Sequence, residues 1–246
     1  MEDGLFVKEN ALRVLEKQLQ SRARRNQYGV VAVGSATDAY LHHEKEWRIT
    51  EGMLQLLLKY RFPVFISTKC ELILRDIELL KAIDKAAILP SDLEQKLKRG
   101  VILSVSISTM DEKIASMLEP GAIAPLQRLQ LIQYFKAEGF LAGVNAMPLL
   151  PYISDTPEAM EELVAAAKEH TADYILTGGL TLFGQGKADS KTLYYHFLRK
   201  FNPSLVAEYD KLYGNDHFAQ QQYALQLKNR ANELGRKYAI RTSIID

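Results

Sequence analysis

Five apolar segments rich in β-branched residues recur along the chain, and each is separated from the next by a segment of helical periodicity. They lie at residues 29–34, 64–67, 101–107, 140–149 and 174–176. Near-continuous apolar strands that alternate with helices are typical of a parallel sheet that is buried on both faces, because crossover helices cover it. The spacing therefore predicts an α/β fold built from repeated strand-helix units.

Capping residues indicate where several of the intervening helices begin. An initial helix is predicted over residues 9–24, where leucines recur on one face. Thr50, Asp76 and Asp111 have the short polar side chains that cap helices, and Pro157 suits the first turn of another helix because its missing N–H is not needed there. Each of these helices is expected to return the chain to the next strand.

The pattern changes after residue 186, because no further apolar strand follows. Aromatic and aliphatic residues recur there at helical spacing: Tyr194, Phe197, Leu198, Phe201, Leu205 and Tyr209. We interpret them as core contacts of a helical tail and not as a surface for stacking on bases. The sequence therefore predicts a barrel-like region over residues 1–186 and a helical extension over residues 187–246 that packs on it.

The charge balance limits the partners that the whole chain can attract. With 31 basic and 30 acidic residues, the chain has no overall field that would favour nucleic acid or an anionic membrane. Arg22, Arg24 and Arg25 form its dense basic cluster, which does not favour binding to a duplex. Its apolar runs are too short to span a bilayer, and residues 1–20 lack a signal-peptide pattern. We expect a cytoplasmic protein without a membrane partner.

Cys70 is the single cysteine of the chain. One thiol cannot form an internal disulfide, and it cannot by itself hold an iron-sulfur cluster or a structural zinc ion. The neighbouring His42 and His43 are a weak metal signal, because adjacent side chains point apart in most backbones. No metal site is therefore predicted in this chain.

Small polar side chains gather at the carboxyl ends of the predicted strands, where parallel α/β folds bind their ligands. Ser35 and Asp38 follow the first strand, Lys69 follows the second, Ser106 lies in the third and Asn145 in the fourth. Hydroxyl groups can bind a carboxylate, and an aspartate can take an ammonium group or a diol. This set predicts a small zwitterionic or ribose-bearing ligand, although serines can instead satisfy the local backbone.

Lys69 also admits a different function. A lysine buried in the mouth of a barrel can attack a carbonyl substrate and form a Schiff base, as in an aldolase. Trapping with borohydride in the presence of carbonyl substrates distinguishes this alternative, because an unmodified Lys69 would eliminate it.

Several short motifs, taken in order, resemble those of one family. They are Val7-Lys8-Glu9-Asn10-Ala11, Gly34-Ser35-Ala36-Thr37-Asp38-Ala39-Tyr40, Thr68-Lys69-Cys70, Leu74-Arg75-Asp76, Ser104-Val105-Ser106-Ile107, Leu118-Glu119-Pro120 and Pro148-Leu149-Leu150-Pro151. Their order and spacing are similar to those of the radical S-adenosylmethionine (SAM) group related to spore photoproduct lyase, often labelled DNA repair photolyase-like. The resemblance extends from about Val7 to the region of Leu180 and continues loosely into the tail.

The resemblance implies a partial (β/α)6 barrel, similar to a TIM barrel, in which a CxxxCxxC loop after the first strand binds a 4Fe-4S cluster. In that family the cluster passes an electron to SAM and yields a 5'-deoxyadenosyl radical. The match begins downstream of that loop, which implies a barrel that lacks strand 1 and the cluster cysteines. The chain is then the inactive barrel portion of a lyase-like parent enzyme. The alternative is a cluster-less module that binds SAM or a nucleoside.

The resemblance also implies contacts to SAM for six residues: Ser35 and Asp38 near the methionine amino group, Lys69 and Ser106 at the carboxylate and ribose, Asn145 at the adenosine, and Thr177 near the adenine. Ala39 stands where proline is common in the family, and Cys70 where serine is common. Nucleic acid is implied as a partner by the resemblance alone, and the substrate is not specified. Without strand 1, residues 29–34 form an exposed edge strand, which predicts a homodimer or a cover made by residues 1–10.

Overall fold

The computed structural model describes residues 8–35 and 37–245. Within them five strands form one sheet in the order β1-β2-β3-β4-β5, and β1 pairs with β2, β2 with β3, and β4 with β5 in parallel. The strands are β1 (Val31–Val33), β2 (Val64–Thr68), β3 (Val101–Ser106), β4 (Leu141–Leu149) and β5 (Ile175–Gly179). The predicted α/β class and all five predicted strands are confirmed. The sheet is consistent with a partial barrel, and the six-unit count stays a prediction.

Helices connect the strands and follow the last of them. They are α1 (Ala11–Arg24), α2 (Glu44–Trp47), α3 (Ile49–Tyr60), α4 (Ile77–Ala86), α5 (Glu112–Leu118), α6 (Pro125–Ala137), α7 (Pro157–Glu169), α8 (Ser190–Phe201), α9 (Leu205–Tyr213) and α10 (Gln221–Tyr238). A short 3-10 helix, Glu71–Asp76, precedes α4. In the part of the chain that is described, none of these helices is long and apolar enough to cross a membrane.

The helix starts show which capping predictions were correct. The Asp111 carboxylate accepts hydrogen bonds from the backbone N–H groups of Lys113 and Ile114 at 2.8 and 3.0 Å, and Pro157 is the first residue of α7. The prediction for Thr50 is wrong, because α3 begins at Ile49 and Thr50 lies inside its first turn. The reason is that the side chain of Glu44 accepts from the first N–H groups of α3, so that no cap at position 50 is needed.

The chain divides into two compact units, which are described separately. The first unit contains the described residues up to Val105 together with Leu131–Gly143, and the second contains Ser106–Gln130 and Val144–Ile244. The division between residues 186 and 187 that the sequence suggested stays a prediction.

In the first unit, α1 packs against α3 and α3 packs against α4. The approach of α1 to α3 is close at Gly52, where an added Cβ would lie 2.8 Å from Leu12 Cδ1. Leu54 and Leu57 of α3 are fully buried, and so are the inward-facing aliphatic residues of β2 and β3. Burial of this apolar surface is the main favourable contribution to the stability of the unit.

In the second unit, α10 packs against β5 and α7, and an aromatic cluster fills the space beside α8 and α9. The hydroxyl of Tyr209 donates to the carbonyl of Pro151 at 2.8 Å and lies 2.9 Å from the hydroxyl of Tyr194. The hydroxyl of Tyr213 donates to the carbonyl of Leu180 at 2.7 Å. The interpretation of the tail residues as core contacts is confirmed for Tyr194, Phe197, Leu198 and Tyr209, which are buried. It is wrong for Phe201, which is 40% exposed at the end of α8.

Strand β1 lies at the edge of the sheet, and Ala32 in its centre is exposed. The predicted cover made by residues 1–10 falls mostly on residues 1–7, which lie outside the described residues. Residues 7 and 36 of the family motifs also lie outside them. The homodimer through this edge stays a prediction.

Candidate functional site

The loop after β1 approaches the end of β2 closely in the first unit. Gly34 has φ of +86°, a left-handed conformation that L side chains rarely adopt. A Cβ atom added there would lie 2.9 Å from the carbonyl oxygen of Ser67 and 3.3 Å from the amide nitrogen of Ala39. Glycine therefore lets the backbone of this loop lie against β2.

We expect Gly34→Ala to lower the free energy of unfolding by about 1–3 kcal/mol, because both the positive φ and the Ser67 carbonyl oppose a side chain. Gly29→Ala is the matched control, since its added Cβ meets nothing within 4 Å. Urea titrations of the two variants measure the difference. An equal effect of both substitutions would contradict the role assigned to Gly34.

The carboxylate of Asp38 holds the same loop in place. Its Oδ1 atom accepts from the backbone N–H of Tyr40 at 2.9 Å and from the hydroxyl of Thr68 at 2.7 Å, while Oδ2 accepts from the backbone N–H of Lys69 at 2.7 Å. Asp38 thus joins the loop after β1 to the end of β2. This side chain positions the loop that carries Ser35, and its predicted contact with a ligand stays a prediction.

The other two predicted ligand residues of the first unit lie near Asp38. Ser35 is three residues before it in the chain, and the backbone N–H of Lys69 donates to its carboxylate. Ser35 is exposed in the loop after β1, and Lys69 is half-buried directly after β2. Cys70 follows Lys69, and its Sγ atom accepts from the backbone N–H of Leu72 at the start of the 3-10 helix. The cysteine therefore has a local capping role.

A buried ion pair that the sequence did not predict supports the start of α3. Glu44 is 6% exposed, and its carboxylate accepts from the backbone N–H groups of Ile49 and Thr50, both at 3.0 Å. The guanidinium of Arg75 donates to the Glu44 carboxylate at 3.1 Å and to the Glu44 carbonyl oxygen at 3.0 Å. The hydroxyl of Thr50 donates in turn to the carbonyl of Ala39 in the loop after β1. The ion pair is thus connected to the loop of Asp38.

Arg75 also binds its neighbour Asp76. Its Nε and Nη2 atoms donate to the two oxygens of the Asp76 carboxylate at 2.8 and 2.9 Å. These bonds raise the pKa of Arg75 above its ordinary value, although burial acts in the opposite direction. Burial, together with the nearby Asp76 charge, raises the pKa of Tyr40 far above its ordinary value. The arginine therefore stays charged and the tyrosine neutral, and Arg75 and Asp76 form a structural ion pair.

The second unit brings together two of its three predicted residues. The backbone N–H of Ile107 donates to the carbonyl of Asn145 at 3.1 Å, and in a parallel ladder this bond places Ser106 opposite Asn145. Their side chains therefore share one face of the sheet. Thr177 pairs with Ala146, one residue further along β4, so that its side chain lies on the opposite face. The structure thus joins Ser106 with Asn145 and separates Thr177 from them by face.

A second buried ion pair, which the sequence also did not predict, holds the end of β3. Arg128 of α6 is 1% exposed and donates to the Glu119 carboxylate at 2.6 Å. The same guanidinium donates to the carbonyl oxygens of Ser106 and Ile123 at 2.8 and 2.7 Å. The backbone of the predicted ligand residue Ser106 is thereby fixed by a charged side chain from the following helix.

No metal-binding group is found among residues 8–35 and 37–245, where no three His, Cys, Asp or Glu side chains converge. The ring of His43 stacks on Trp47 with the ring centroids 4.8 Å apart. The Glu44 carboxylate next to it is engaged by Arg75 and by α3. These contacts account for the residues around His42 and His43 without a metal ion.

Comparison with known sequences gives distant relatives of unassigned activity. No protein-family model matches the chain. Uncharacterized proteins of Mycobacterium tuberculosis and Mycobacterium bovis are 27% identical to it over 236 residues, which cover 96% of this chain. The chain spans only 64% of the length of these relatives. An uncharacterized protein of Acidianus two-tailed virus is 29% identical over 140 residues, covering 57% of this chain and 41% of its own length.

Comparison with solved structures identifies the fold. A spore photoproduct lyase variant matches with a TM-score of 0.61 and 12% identity, covering 93% of this chain and 64% of its own. Another variant, with bound AdoMet and dinucleoside spore photoproduct, gives 0.57 at 11% identity with the same coverage. SuiB of Streptococcus suis bound to S-adenosylmethionine gives 0.51 at 15% identity, covering 85% of this chain and 43% of its own. The chain therefore has the fold of these radical SAM enzymes.

Proposed function

We propose that this chain is the SAM-binding barrel portion of a radical SAM enzyme related to spore photoproduct lyase, and that the cysteines of its 4Fe-4S cluster lie outside these 246 residues. The shared fold supports the proposal, and so does the order of the family motifs along the chain. The greater length of the mycobacterial relatives is compatible with a further segment. The observation that carries the proposal is the close approach of the loop after β1 to the end of β2 at Gly34, together with the hydrogen bonds that Asp38 accepts from Thr68 and Lys69.

The residues present fit SAM but do not fit its cluster. A carboxylate requires a cation, which Lys69 offers beside the loop of Ser35, and a ribose requires groups such as the paired Ser106 and Asn145. A 4Fe-4S cluster requires several thiolates, and this sequence contains only Cys70.

The residues of the chain bind and orient SAM in this proposal. The Lys69 ammonium group neutralises the carboxylate of the methionine end, and the Ser35 hydroxyl contacts its amino group. Asp38 acts through its bonds to the backbone of Tyr40 and Lys69, which fix the loop before the ligand arrives. Ser106 and Asn145 stay predicted contacts for the nucleoside part. The contact of Thr177 also stays a prediction, although its side chain lies on the opposite face of the sheet from those two. When bound, SAM supplies the reactive 5'-deoxyadenosyl group, and the chain without the cluster is catalytically inactive.

The assignment to a radical SAM parent is tested with a longer form that carries a CxxxCxxC segment before residue 1. After anaerobic reconstitution with iron and sulfide, we expect a brown, oxygen-sensitive protein whose iron content does not change in Cys70→Ser, because Cys70 has only a local capping role. A colourless product after reconstitution would contradict the proposal. A loss of iron in Cys70→Ser would instead contradict the placement of all cluster cysteines outside this chain.

A further inference from the structure

A cleft of about 490 Å³ lies within the second unit, between the segment that follows β4 and the helices α9 and α10. None of the residues that the sequence predicted as ligand contacts lines it. It combines apolar walls with several polar side chains, which is the usual character of a binding site for a small molecule. The chemistry of these polar groups indicates the kind of ligand.

One wall of the cleft presents unused hydrogen-bond donors from α10. Gln222, Gln226 and Arg230 are spaced four residues apart, so they lie on one face of the helix. Within residues 8–35 and 37–245, the two glutamine amides bind no other residue. Arg230 donates from Nη1 to the carbonyl oxygen of Asp155 at 2.6 Å, which fixes the guanidinium. The edge of the Arg230 guanidinium that is formed by Nε and Nη2 has no hydrogen-bond acceptor within residues 8–35 and 37–245.

The opposite wall carries the ring of Tyr152 and the side chain of Asp155. Tyr152 is 45% exposed, so its ring is available to an apolar group, and Leu227 adds apolar surface on the side of α10. Asp155 is nearly buried and accepts from the hydroxyl of Tyr223 at 2.8 Å. Burial raises the pKa of Asp155 above its ordinary value, whereas the hydrogen bond from Tyr223 and the charge of Arg230 act in the opposite direction.

We propose that this cleft binds an organic carboxylate, held at the Nε and Nη2 edge of Arg230 and by the amides of Gln222 and Gln226. The planar guanidinium edge can donate two parallel hydrogen bonds to the two oxygens of a carboxylate. A ligand that offers only an amide or a hydroxyl has a single oxygen and cannot accept both bonds in this geometry. The apolar part of the ligand lies against Tyr152 and Leu227. The site is separate from the proposed SAM contacts and does not depend on them. The carboxylate comes from a free small acid or from the C-terminus of a peptide.

Calorimetric titration with a matched pair of probes tests the chemistry. We expect N-acetyl-L-phenylalanine to bind at least about tenfold more tightly than N-acetyl-L-phenylalaninamide, which lacks the charge. A tripeptide that ends in phenylalanine, with a free or an amidated C-terminus, distinguishes the two sources. Tighter binding of the free peptide than of the acetylated amino acid identifies a peptide terminus, and weaker binding identifies a small acid. Equal binding of acid and amide, or no binding of either, overturns the proposal.

Two variants of α10 test the location of the site. Gln226→Glu places a like charge at the proposed carboxylate position and removes the amide donor of Gln226, so we expect the acid probe to bind at least about tenfold more weakly. Lys228→Gln changes the net charge by the same amount at an exposed residue that does not line the cleft, and we expect unchanged binding. If the two variants weaken binding equally, the carboxylate is not bound in this cleft. Thermal melting of both variants checks that the fold is retained.

Discussion

Arg128→Met is expected to lower the free energy of unfolding by about 3–5 kcal/mol, because it removes one partner of a buried ion pair. The Glu119 carboxylate would lose its guanidinium, and the carbonyl oxygens of Ser106 and Ile123 would each lose a charged donor. Arg128 is 1% exposed, so water cannot easily replace these bonds. Methionine has a similar volume, which limits the contribution of a cavity to the result. Urea unfolding followed by circular dichroism measures the change.

Lys113→Met is the control for this experiment. It also exchanges a cation for methionine, but the side chain of Lys113 is exposed at the start of α5. We expect its effect to stay below about 0.5 kcal/mol, as is usual for a surface substitution. A loss of less than about 1 kcal/mol in Arg128→Met would show that the ion pair with Glu119 does not hold the end of β3 in the way inferred from its hydrogen bonds.

Glu44→Gln is expected to lower the free energy of unfolding by about 2–4 kcal/mol. The carboxylate of Glu44 only accepts hydrogen bonds, from three N–H groups of α3 and from Arg75. A glutamine amide would turn a donor toward one of these donors and would leave Arg75 with Asp76 as its remaining acidic partner. Because Thr50 connects this pair to the loop of Ala39, the loss should also loosen the backbone around Asp38.

Glu46→Gln is the matched control, because it makes the same chemical change in the same short helix at an exposed side chain. We expect it to change the stability by less than about 0.5 kcal/mol. Hydrogen exchange at the amide of Tyr40, which donates to Asp38, reports on the loop itself. Faster exchange is expected in Glu44→Gln alone. Equal exchange in the two variants would contradict a connection between the ion pair and the loop.

The strands were the most predictable part of this fold. Each predicted strand is an apolar segment whose period and flanking residues are visible locally, and the structure moves their ends by no more than a few residues, as for β5 at Ile175–Gly179. Asp111 and Pro157 were predictable for the same reason, since a helix cap depends on its nearest neighbours. Thr50 was wrongly predicted because a distant side chain, Glu44, already binds the first N–H groups of α3.

The local sequence pattern predicts neither the ion pairs nor which of the predicted site residues share a face of the sheet. Glu44 and Arg75 are 31 residues apart, so their contact exists only after the chain has folded. The sequence shows Glu119 in a family motif but gives no sign that Arg128 binds it. The separation of Thr177 from Asn145 follows from the register of β4 against β5, and a shift of one residue would reverse it.

Lys69 is the cation of the predicted SAM site. We expect Lys69→Met to weaken the binding of SAM by about tenfold, because the carboxylate of the methionine end loses its cation. Lys85→Met is the control, because it removes the same charge from an exposed side chain of α4 in the same unit. Equal affinity of the two variants would remove Lys69 from the site.

Calorimetric titration of the unmodified chain with SAM tests the central proposal most directly. Saturable binding of SAM, with weaker binding of methylthioadenosine because that compound lacks the amino and carboxylate groups, is the predicted result. This result would support the proposal that the chain retains the SAM contacts of a radical SAM barrel. It would do so both for a parent that carries the cluster and for one that has lost it. The absence of heat with both compounds would contradict the account.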